Sequence, residues 1–213
     1  FFDSRDFMEI ETPILQNQAG GAMAKTFNTH HNDYDLDMVL RISLELEHKM
    51  IMTAGYQRIY EIGKNFRNEG SDPTHIQEFT MIEWYAAYET LETNMKWTQE
   101  LIQGIANDVI GKTTFTILDK NDTPVEINLG GNWEQVRFDD LLRRNANLDI
   151  STASLDEIKS KASEYGMSND ELSKTGRANL LDHIYKKSSR NHITAPTFVT
   201  NYPGELKPLA QQN

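Results

Sequence analysis

A chain of 213 residues with 38% hydrophobic content can bury a substantial core, and the simplest expectation is a single domain with an insertion. Its formal net charge of -11 argues against a broad nucleic-acid-binding surface on these residues, and the absence of cysteine excludes disulfides and thiolate metal sites while fitting a reducing cytosol. No apolar run approaches the roughly 18 residues of a membrane-spanning helix and no signal peptide is recognisable, so we expect a cytoplasmic protein that enters no membrane.

The first part of the chain predicts a helix end, an edge strand and a glycine loop. Because the chain begins at Phe1 rather than Met, we expect a fragment of a longer protein. Apolar and polar residues alternate imperfectly over residues 7–15, which predicts a short helix end and then a strand. The strand is expected at an edge of its sheet, since Pro13 cannot lie in a central strand. Gly20 and Gly21 favour a tight turn, with a close backbone approach as the alternative.

A helix is predicted after a turn-and-strand region at residues 27–42. Ser43 is a suitable N-cap residue and Gly55 a suitable stop. The apolar stripe between them consists of Leu44, Ile51 and Ala54. Glu45 then lies in the first turn, where the helix dipole favours a carboxylate.

Residues 58–88 predict two long strands joined by a polar loop. Side chains two apart in a strand share a face. One face of this hairpin collects Ile59, Glu61, Asn65, Arg67 and Glu69 from the first strand and His75, Phe79, Met81, Glu83 and Tyr85 from the second. The other face carries Tyr60, Ile62 and Phe66, opposite Ile82, Trp84 and Ala86. We therefore expect one polar, ligand-suited face on an otherwise buried pair of strands.

The polar face of this hairpin has the residue types that bind an anionic ligand with a planar ring. Arg67 is a planar fork of donors that suits a carboxylate or a phosphate, and Phe79 offers a surface on which a ring can stack. Nearby carboxylates can hold a cation. The alternative is a surface ion pair of Arg67 with Glu69 or Glu83 beside a core phenylalanine.

The remainder of the chain predicts further helices and short strands. We expect a helix over residues 92–110 that stops at Gly111, a hairpin of strands 114–118 and 125–129 with its loop at 118–123, a strand at 133–138, a helix at 139–144 and a strand at 196–202. Between residues 150 and 190 the composition shifts to Ser, Lys, Glu, Asp and Asn with helical periodicity, which indicates an inserted helical segment.

Two clusters of potential metal ligands do not fit a metal site. The first three spacings of a calcium loop are matched by Asp33, Asp35 and Asp37. Met38 and Leu44 then replace the glycine and glutamate that such a loop requires. His30 and His31 are adjacent and would point to opposite faces of a strand, so a zinc site is disfavoured.

Specific motifs give the hairpin a family resemblance. FRNEG followed by H-x-x-EFTMIEWYAAY resembles motif 2 of the class II aminoacyl-tRNA synthetases, and GYQRIYEIGKNF is similar to the strand that leads into it. FMEIETPIL resembles motif 1. The stretches THHNDYDLDMVLRISLEL and PTFVTNYPGELKPLAQQN resemble the lysyl-tRNA synthetases in particular, whereas the aspartyl and asparaginyl enzymes are expected to have an R-H pair in the motif 2 loop. The resemblance is strong over residues 7–88 and from 196 onward, and weak in the inserted segment.

This resemblance implies an α+β fold, in which an antiparallel sheet is flanked by helices with a helical insertion at about residues 150–190, and a homodimer formed through motif 1. It implies a lysine–tRNA ligase that converts L-lysine and ATP to lysyl-adenylate and pyrophosphate, then transfers lysine to tRNA(Lys). Positioning and electrostatics suffice for the first step, because the substrate carboxylate itself attacks.

The resemblance also implies roles for individual residues. The implied ATP-binding set is Arg67, Asn68, Glu69, His75, Ile76 and Phe79, with Glu69 at the adenine, His75 towards the triphosphate and Phe79 stacked on the base. The implied lysine-binding set is Gly21, Glu45, Arg67, Glu83 and Tyr85. In this set Gly21 and Glu45 would hold the α-amino group of lysine, and Glu83 and Tyr85 would face its side chain. Arg67 would be the catalytic residue, since it would bind the α-phosphate and the substrate carboxylate.

The chain departs from the lysyl pattern in several places. The usual P-E-L is replaced by Leu44-Glu45-Leu46, and the usual H-N-P-E-F by His75-Ile76-Gln77-Glu78-Phe79. Ile76 therefore lacks the amide of the usual Asn. Motif 3 and the anticodon-binding domain are absent, no metal ligand is expected within these residues, and the Mg2+ ligands are expected beyond Asn213. We therefore expect residues 1–213 alone to be catalytically inactive.

The sequence leaves two other functions open. One is a paralogous ligase that attaches lysine to a protein, which would use the same adenylate chemistry. The other is a synthetase-like regulatory or binding module without catalysis. The presence of Glu45, Arg67, Glu83 and Tyr85 together argues against the module, because a module without catalysis has no need for the full set.

Overall fold

The computed structural model describes residues 1–72, 75–119 and 122–207. The backbone forms two compact units, Phe1–Thr93 and Asn94–Asn213. Some residues for which the sequence makes predictions lie outside the described ranges. They are residues 73 and 74 of the motif 2 loop, residues 120 and 121 of the second hairpin loop, and residues 208–213 of the C-terminal stretch. The division of the chain into a catalytic domain with an insertion stays a prediction.

The first unit contains short strands, one helix and one long hairpin. Its elements are a 3-10 turn (Asp3–Arg5), β1 (Met8–Glu9), β2 (Leu15–Gln16), β3 (Asn28–His31), a 3-10 turn (Asn32–Tyr34), β4 (Leu36–Leu40), α1 (Glu45–Thr53), β5 (Arg58–Phe66) and β6 (Glu78–Ala86). They form two sheets, with strand orders β1-β5-β6 and β2-β4-β3. β5 and β6 pair antiparallel, which confirms the predicted hairpin at residues 58–88. β1 pairs with β5 in parallel and lies at the edge of this sheet among the described strands, which confirms the predicted edge strand.

Helix α1 begins close to the predicted position. Its N-cap residue is Leu44, one residue after the predicted Ser43, and Leu44 makes no side-chain cap hydrogen bond. The Ser43 hydroxyl instead accepts a hydrogen bond from the Glu45 backbone N–H at 3.2 Å. Glu45 lies in the first turn as predicted, and Gly55 follows the helix with a φ of +102°, a conformation that favours glycine.

The β5–β6 register places on one face those residues of the predicted polar face that lie within the two strands, but the burial of the two faces differs from the expectation. Cross-strand partners include Glu61 with Glu83 and Asn65 with Phe79. Glu61 and Asn65 are buried, whereas Ile62 and Ile82 on the opposite face are 55% and 38% exposed. The expectation of an otherwise buried pair of strands was therefore wrong at Ile62 and Ile82, because alternation of polar and apolar residues determines which side chains share a face and not what packs against that face.

The second unit contains most of the helices. Its elements are α2 (Leu91–Gly104), which starts just before the unit boundary and continues as a π-helix (Ile105–Ile110), β7 (Thr114–Leu118), β8 (Pro124–Asn128), β9 (Glu134–Arg137), α3 (Phe138–Ala146), α4 (Leu155–Glu164), α5 (Asn169–Lys174), α6 (Arg177–Ser188), a 3-10 turn (Arg190–His192), β10 (Thr197–Thr200) and a 3-10 turn (Gly204–Leu206). These elements confirm the predicted helix, hairpin and strand positions. β7 and β8 pair antiparallel, and β9 and β10 pair in parallel.

Helices α3, α4 and α6 form the hydrophobic core of the second unit. Fully buried side chains on α3, α4 and α6 pack together, and they include Phe138, Leu142, Ile158, Leu180 and Ile184. Reciprocal hydrogen bonds between Ser154 and Glu157 begin α4, and Ser168 and Glu171 begin α5 in the same way. Because such capping boxes satisfy the free backbone donors of the first turn, they explain where these helices start.

Acidic and histidine side chains near β3 pair with one another instead of clustering around a metal. His30 Nδ1 lies 2.9 Å from Asp37 Oδ1, and its Nε2 lies 3.4 Å from Asp35 Oδ1. Across the described residues, no group of three or more such side chains is arranged to hold a metal ion. In the same residues, no helix combines the length and the apolar character needed to cross a bilayer.

Candidate functional site

A cavity of about 470 Å3 lies beyond the end of the β5–β6 hairpin in the first unit. Its lining consists of Arg67, Glu69, Gly70, Asp72, His75, Ile76, Gln77 and Phe79. The structure therefore brings together five of the six residues predicted to bind ATP. The lining combines a guanidinium, an aromatic ring and carboxylates, so it can contact both an anionic group and a planar ring.

Arg67 is held in this cavity by contacts on three sides. Its backbone N–H donates to the Gln77 carbonyl at 2.8 Å, which extends the hairpin pairing by one step. Its Nε donates to the Ile42 carbonyl at 3.2 Å, and its guanidinium carbon lies 5.3 Å from the centre of the Phe79 ring. The predicted alternative, an ion pair of Arg67 with Glu69 or Glu83, is not formed in the described part of the chain. The guanidinium is therefore oriented but not neutralised there.

The loop side of the cavity is ordered by hydrogen bonds between its own residues. The Gln77 amide donates to the Glu69 carbonyl at 2.8 Å and to the Ser71 hydroxyl at 2.6 Å. His75 Nδ1 lies 2.8 Å from Asp72 Oδ2, and both side chains are largely exposed. Asp72 and Gln77 were not among the predicted site residues, because nothing in the sequence shows that they close the loop.

Asn68 does not reach this cavity. Its backbone N–H donates to the Lys25 carbonyl at 2.9 Å, and its amide donates to the Thr26 carbonyl at 3.4 Å. The side chain is thus directed to the segment before β3. The prediction that Asn68 binds ATP finds no support in its position, since adjacent residues of an extended chain point in opposite directions.

A second group of predicted residues meets at the start of α1. Gly21 has a φ of +79°, and a Cβ atom at this position would lie 2.8 Å from both Glu45 Cβ and Ser43 Oγ. The turn and the close backbone approach, which the sequence left as alternatives, therefore both occur. Glu45 is one-fifth exposed and pairs with Lys49, one turn along the same helix. This geometry places backbone and carboxylate acceptors side by side.

Glu83 and Tyr85 form the third part of the predicted site. The Tyr85 hydroxyl donates to Glu83 Oε1 at 2.7 Å. Burial, the Glu83 carboxylate and the more distant Glu45 carboxylate raise the pKa of Tyr85, so the hydroxyl stays protonated and remains a donor. The influence of Glu45 on Tyr85 indicates that α1 and β6 contribute to one acidic region. Such a region favours a cation.

A buried polar cluster lies beneath this acidic region and was missed by sequence reasoning. Arg41 Nη1 donates to Glu61 Oε1 at 2.8 Å and to the Thr12 carbonyl and hydroxyl at 2.9 Å each. The Thr12 hydroxyl lies 2.6 Å from Glu61 Oε2, and His48 Nε2 lies 3.1 Å from the same oxygen. Gly63 leaves room for Arg41, because a Cβ there would lie 2.3 Å from Arg41 Nη2. A buried ion pair of this kind holds several segments in a fixed arrangement.

Comparison with known proteins assigns the chain to a family. Residues 1–213 match tRNA synthetases class II (D, K and N), and the chain belongs to that family. This confirms the resemblance that the motif 1 and motif 2 stretches predicted. Family members of this class are ATP-dependent ligases.

Curated proteins similar to this chain include several lysine–tRNA ligases. Over its whole length the chain is 37% identical to the lysine–tRNA ligase of Lactococcus lactis subsp. cremoris strain MG1363, of which it covers 42%. It is 38% identical to the lysine–tRNA ligase of Colwellia psychrerythraea, covering 44%, and 39% identical to that of Synechococcus sp. strain RCC307, covering 41%. The chain thus spans less than half the length of these relatives.

Proposed function

We propose that this chain is part of the catalytic domain of a lysine–tRNA ligase that activates L-lysine with ATP and transfers it to tRNA(Lys). The observation that carries the proposal is the Glu83 carboxylate. It is half-buried, it accepts a hydrogen bond from Tyr85, and no basic side chain of the described chain pairs with it. A partly buried carboxylate without a counter-charge favours an ammonium group, which the side chain of lysine supplies.

The neighbouring cavity fits the second substrate of this reaction. Phe79 offers a ring for the adenine, and Arg67 offers donors for the α-phosphate and the lysine carboxylate. When the carboxylate attacks the α-phosphorus, a carboxyl oxygen–phosphorus bond forms and pyrophosphate leaves. Arg67 stabilises the negative charge that develops on the phosphoryl oxygens. Glu69 would contact the adenine and His75 the triphosphate.

The amino-acid end of the site would be bound by groups on α1 and on the glycine loop. The substrate α-ammonium would bind Glu45 beside the backbone of Gly21, and the side-chain ammonium would bind Glu83 and Tyr85. This arrangement uses one carboxylate for each positive charge of lysine. An amino acid without a side-chain ammonium would leave Glu83 unpaired, and leaving a buried charge unpaired is costly.

Mg2+, a homodimer and a cytoplasmic location complete the proposed function. Mg2+ would neutralise the charge of the ATP phosphates. We propose an antiparallel catalytic sheet flanked by helices, a homodimer formed through the motif 1 region and a cytoplasmic location. The cysteine-free composition fits such a location.

Amino-acid-dependent exchange of pyrophosphate into ATP, measured on the protein made from its complete reading frame, tests this function. Lysine is expected to support exchange, whereas norleucine, which lacks only the side-chain ammonium, is expected to be at least a hundredfold poorer, a loss of about 2.7 kcal/mol. Equal exchange with both amino acids would remove Glu83 from its assigned role. Transfer of labelled lysine to tRNA(Lys) in the same preparation then decides between tRNA and a protein as the acceptor.

A further inference from the structure

His48 occupies an unusual position between the buried cluster and the acidic region. It is fully buried on α1, one turn after Glu45. One ring nitrogen, Nε2, lies 3.1 Å from Glu61 Oε2, while Nδ1 is buried without a hydrogen-bond partner in the described structure. On its other side the ring meets Tyr85 edge to face, with ring centres 5.4 Å apart and planes inclined by 77°. His48 therefore contacts both the buried cluster around Glu61 and the ring of Tyr85, which is proposed to bind the substrate.

The protonation of Glu61 determines which nitrogen of His48 carries the proton. Burial raises the pKa of the Glu61 carboxyl, but hydrogen bonds from Thr12 and His48 and the Arg41 charge lower it below its ordinary value overall. An ionised carboxylate can only accept hydrogen bonds. The proton of a neutral His48 must therefore be on Nε2, with Nδ1 as a bare acceptor.

Packing alone does not explain a histidine at this position. A buried acceptor without a partner costs free energy, and a leucine of similar volume would fill the space without that cost. Arg41 already supplies the counter-charge of Glu61, so the cluster does not need His48 for neutrality. What the imidazole adds is a directional hydrogen bond, which fixes the rotation of its ring and hence the surface on which Tyr85 rests.

We propose that His48 is a positioning residue for the lysine side of the site, connecting Glu61 to Tyr85 and thereby to Glu83. The inference rests on the proposed function. Glu61 holds Nε2, the oriented imidazole supports the Tyr85 ring, and the Tyr85 hydroxyl holds the Glu83 carboxylate. Because His48 and Glu45 lie on adjacent turns of α1, the same hydrogen bond also fixes the helix that carries the second carboxylate. His48 touches neither substrate.

Three variants of the protein made from its complete reading frame test this role. His48→Leu removes the hydrogen bond and keeps the volume, His48→Gln keeps a donor near the position of Nε2, and His30→Leu removes an exposed histidine that pairs with Asp35 and Asp37 away from the site. We expect His48→Leu to raise the KM for lysine about tenfold, or ~1.4 kcal/mol. The KM for ATP should change less than about twofold, and His48→Gln should recover most of the loss.

A purely structural role would change these measurements differently. Loss of stability alone would lower the active fraction and leave both KM values unaltered. An unchanged lysine KM in His48→Leu, an equal rise in both KM values, or no recovery in His48→Gln would each overturn the proposal. His30→Leu should behave as the wild type in each assay, because the pairs of His30 with Asp35 and Asp37 are exposed and contribute little.

Nuclear magnetic resonance of the wild-type protein tests the same point without relying on a foldable variant. With 15N-labelled histidine, the His48 ring should show the Nε2-protonated form, and saturating lysine should shift its signals while a non-hydrolysable ATP analogue should not. The opposite tautomer, or no response to lysine, would overturn the inference. A wild-type protein that neither activates nor binds lysine would overturn the proposed function as well, which distinguishes the two failures.

Discussion

Glu61 and Glu83 lie directly opposite each other in the register of β5 and β6, but their surroundings neutralise only one of them. Glu61 is 2% exposed and forms an ion pair with Arg41 at 2.8 Å. Glu83 accepts a hydrogen bond from the neutral Tyr85 hydroxyl, and no basic side chain in the described residues pairs with it. Like charges directly opposite each other destabilise a sheet. Arg41 offsets the charge of Glu61, so the proposed ammonium of the substrate would supply the counter-charge that Glu83 alone lacks.

This relationship predicts the effect of removing the charge of Glu83. Glu83→Gln keeps the shape and a hydrogen-bond acceptor but removes the counter-charge for the substrate. We expect kcat/KM for lysine in ATP–pyrophosphate exchange to fall by a hundredfold or more, about 3 kcal/mol, as for the loss of one partner of a buried charge pair.

Glu78→Gln is the matched control for Glu83→Gln. Glu78 is on the opposite face of the same strand, and within the described residues its ion pair is a long, exposed one with Lys64 at 3.5 Å. Its substitution should leave kcat/KM for lysine within about twofold, because exposed ion pairs contribute little. Equal losses in the two variants would mean that the Glu83 effect is not specific to the site.

The orientation of Arg67 predicts that a lysine cannot replace it. Its Nε donates to the Ile42 carbonyl while the rest of the guanidinium lies over Phe79. A lysine at this position supplies one charged group and cannot both bind the carbonyl and hold a phosphate with a planar fork. Arg67→Ala and Arg67→Lys should therefore both lower the rate of adenylate formation by about a hundredfold or more, measured by single-turnover kinetics.

The control for the Arg67 variants is Arg143→Ala, which removes an exposed arginine of the second unit that pairs with Asp140 and Asp149. This variant should form adenylate at the wild-type rate. Adenylate formation within a few-fold of wild type in Arg67→Ala would remove Arg67 from its role in stabilising the transition state.

The sequence was sufficient to predict those parts of the site that depend on local periodicity. Alternation of polar and apolar residues placed Glu83 and Phe79 on one face of β6, and Ser43 predicted the start of α1 to within one residue. The cluster around Arg41 and Glu61 could not be predicted, because its members come from four separate segments and only the folded chain brings them together. The same holds for Asn68, whose direction is set by the Lys25 segment, and for the exposure of Ile62, which depends on what packs against the sheet.

The close contact of the glycine loop with α1 predicts a specific effect of a single methyl group. In Gly21→Ala the new Cβ would lie 2.8 Å from Glu45 Cβ and Ser43 Oγ, so Glu45 must move. We expect the KM for lysine to rise about tenfold or more, or ~1.4 kcal/mol, together with a lower thermal unfolding temperature. Steady-state kinetics with lysine as the varied substrate and thermal unfolding of the same sample measure the two effects.

Gly55→Ala is the control that distinguishes the effect of the new Cβ contact in Gly21→Ala from the effect of its strained backbone. Gly55 also has a positive φ, +102°, but a Cβ there meets nothing within 4 Å. Both variants carry the cost of placing alanine in a left-handed conformation, roughly 1–2 kcal/mol. Only Gly21→Ala should also raise the KM for lysine. If Gly55→Ala raises this KM as much, the effect reflects reduced stability and not displacement of Glu45.

The buried Glu61 carboxylate predicts how stability depends on pH. Because its folded-state pKa is below the ordinary value of 4.5, Glu61 stabilises the fold at pH values above 4.5, and this contribution is lost as the pH falls through the lower folded-state pKa. Glu61→Gln carries no charge at any pH and leaves Arg41 buried without a counter-charge. At neutral pH it should lower the free energy of unfolding by about 3 kcal/mol, in line with breaking a buried ion pair.

In acid, the difference between wild type and Glu61→Gln should become smaller, because the wild-type carboxyl is then protonated as well. Denaturant unfolding at neutral pH and at successively lower pH values measures this change. Glu78→Gln, which alters an exposed carboxylate, should show no comparable difference at neutral pH. A wild-type advantage that stays constant down to the lowest pH would show that shape, and not the charge of Glu61, stabilises the cluster beneath the proposed lysine site.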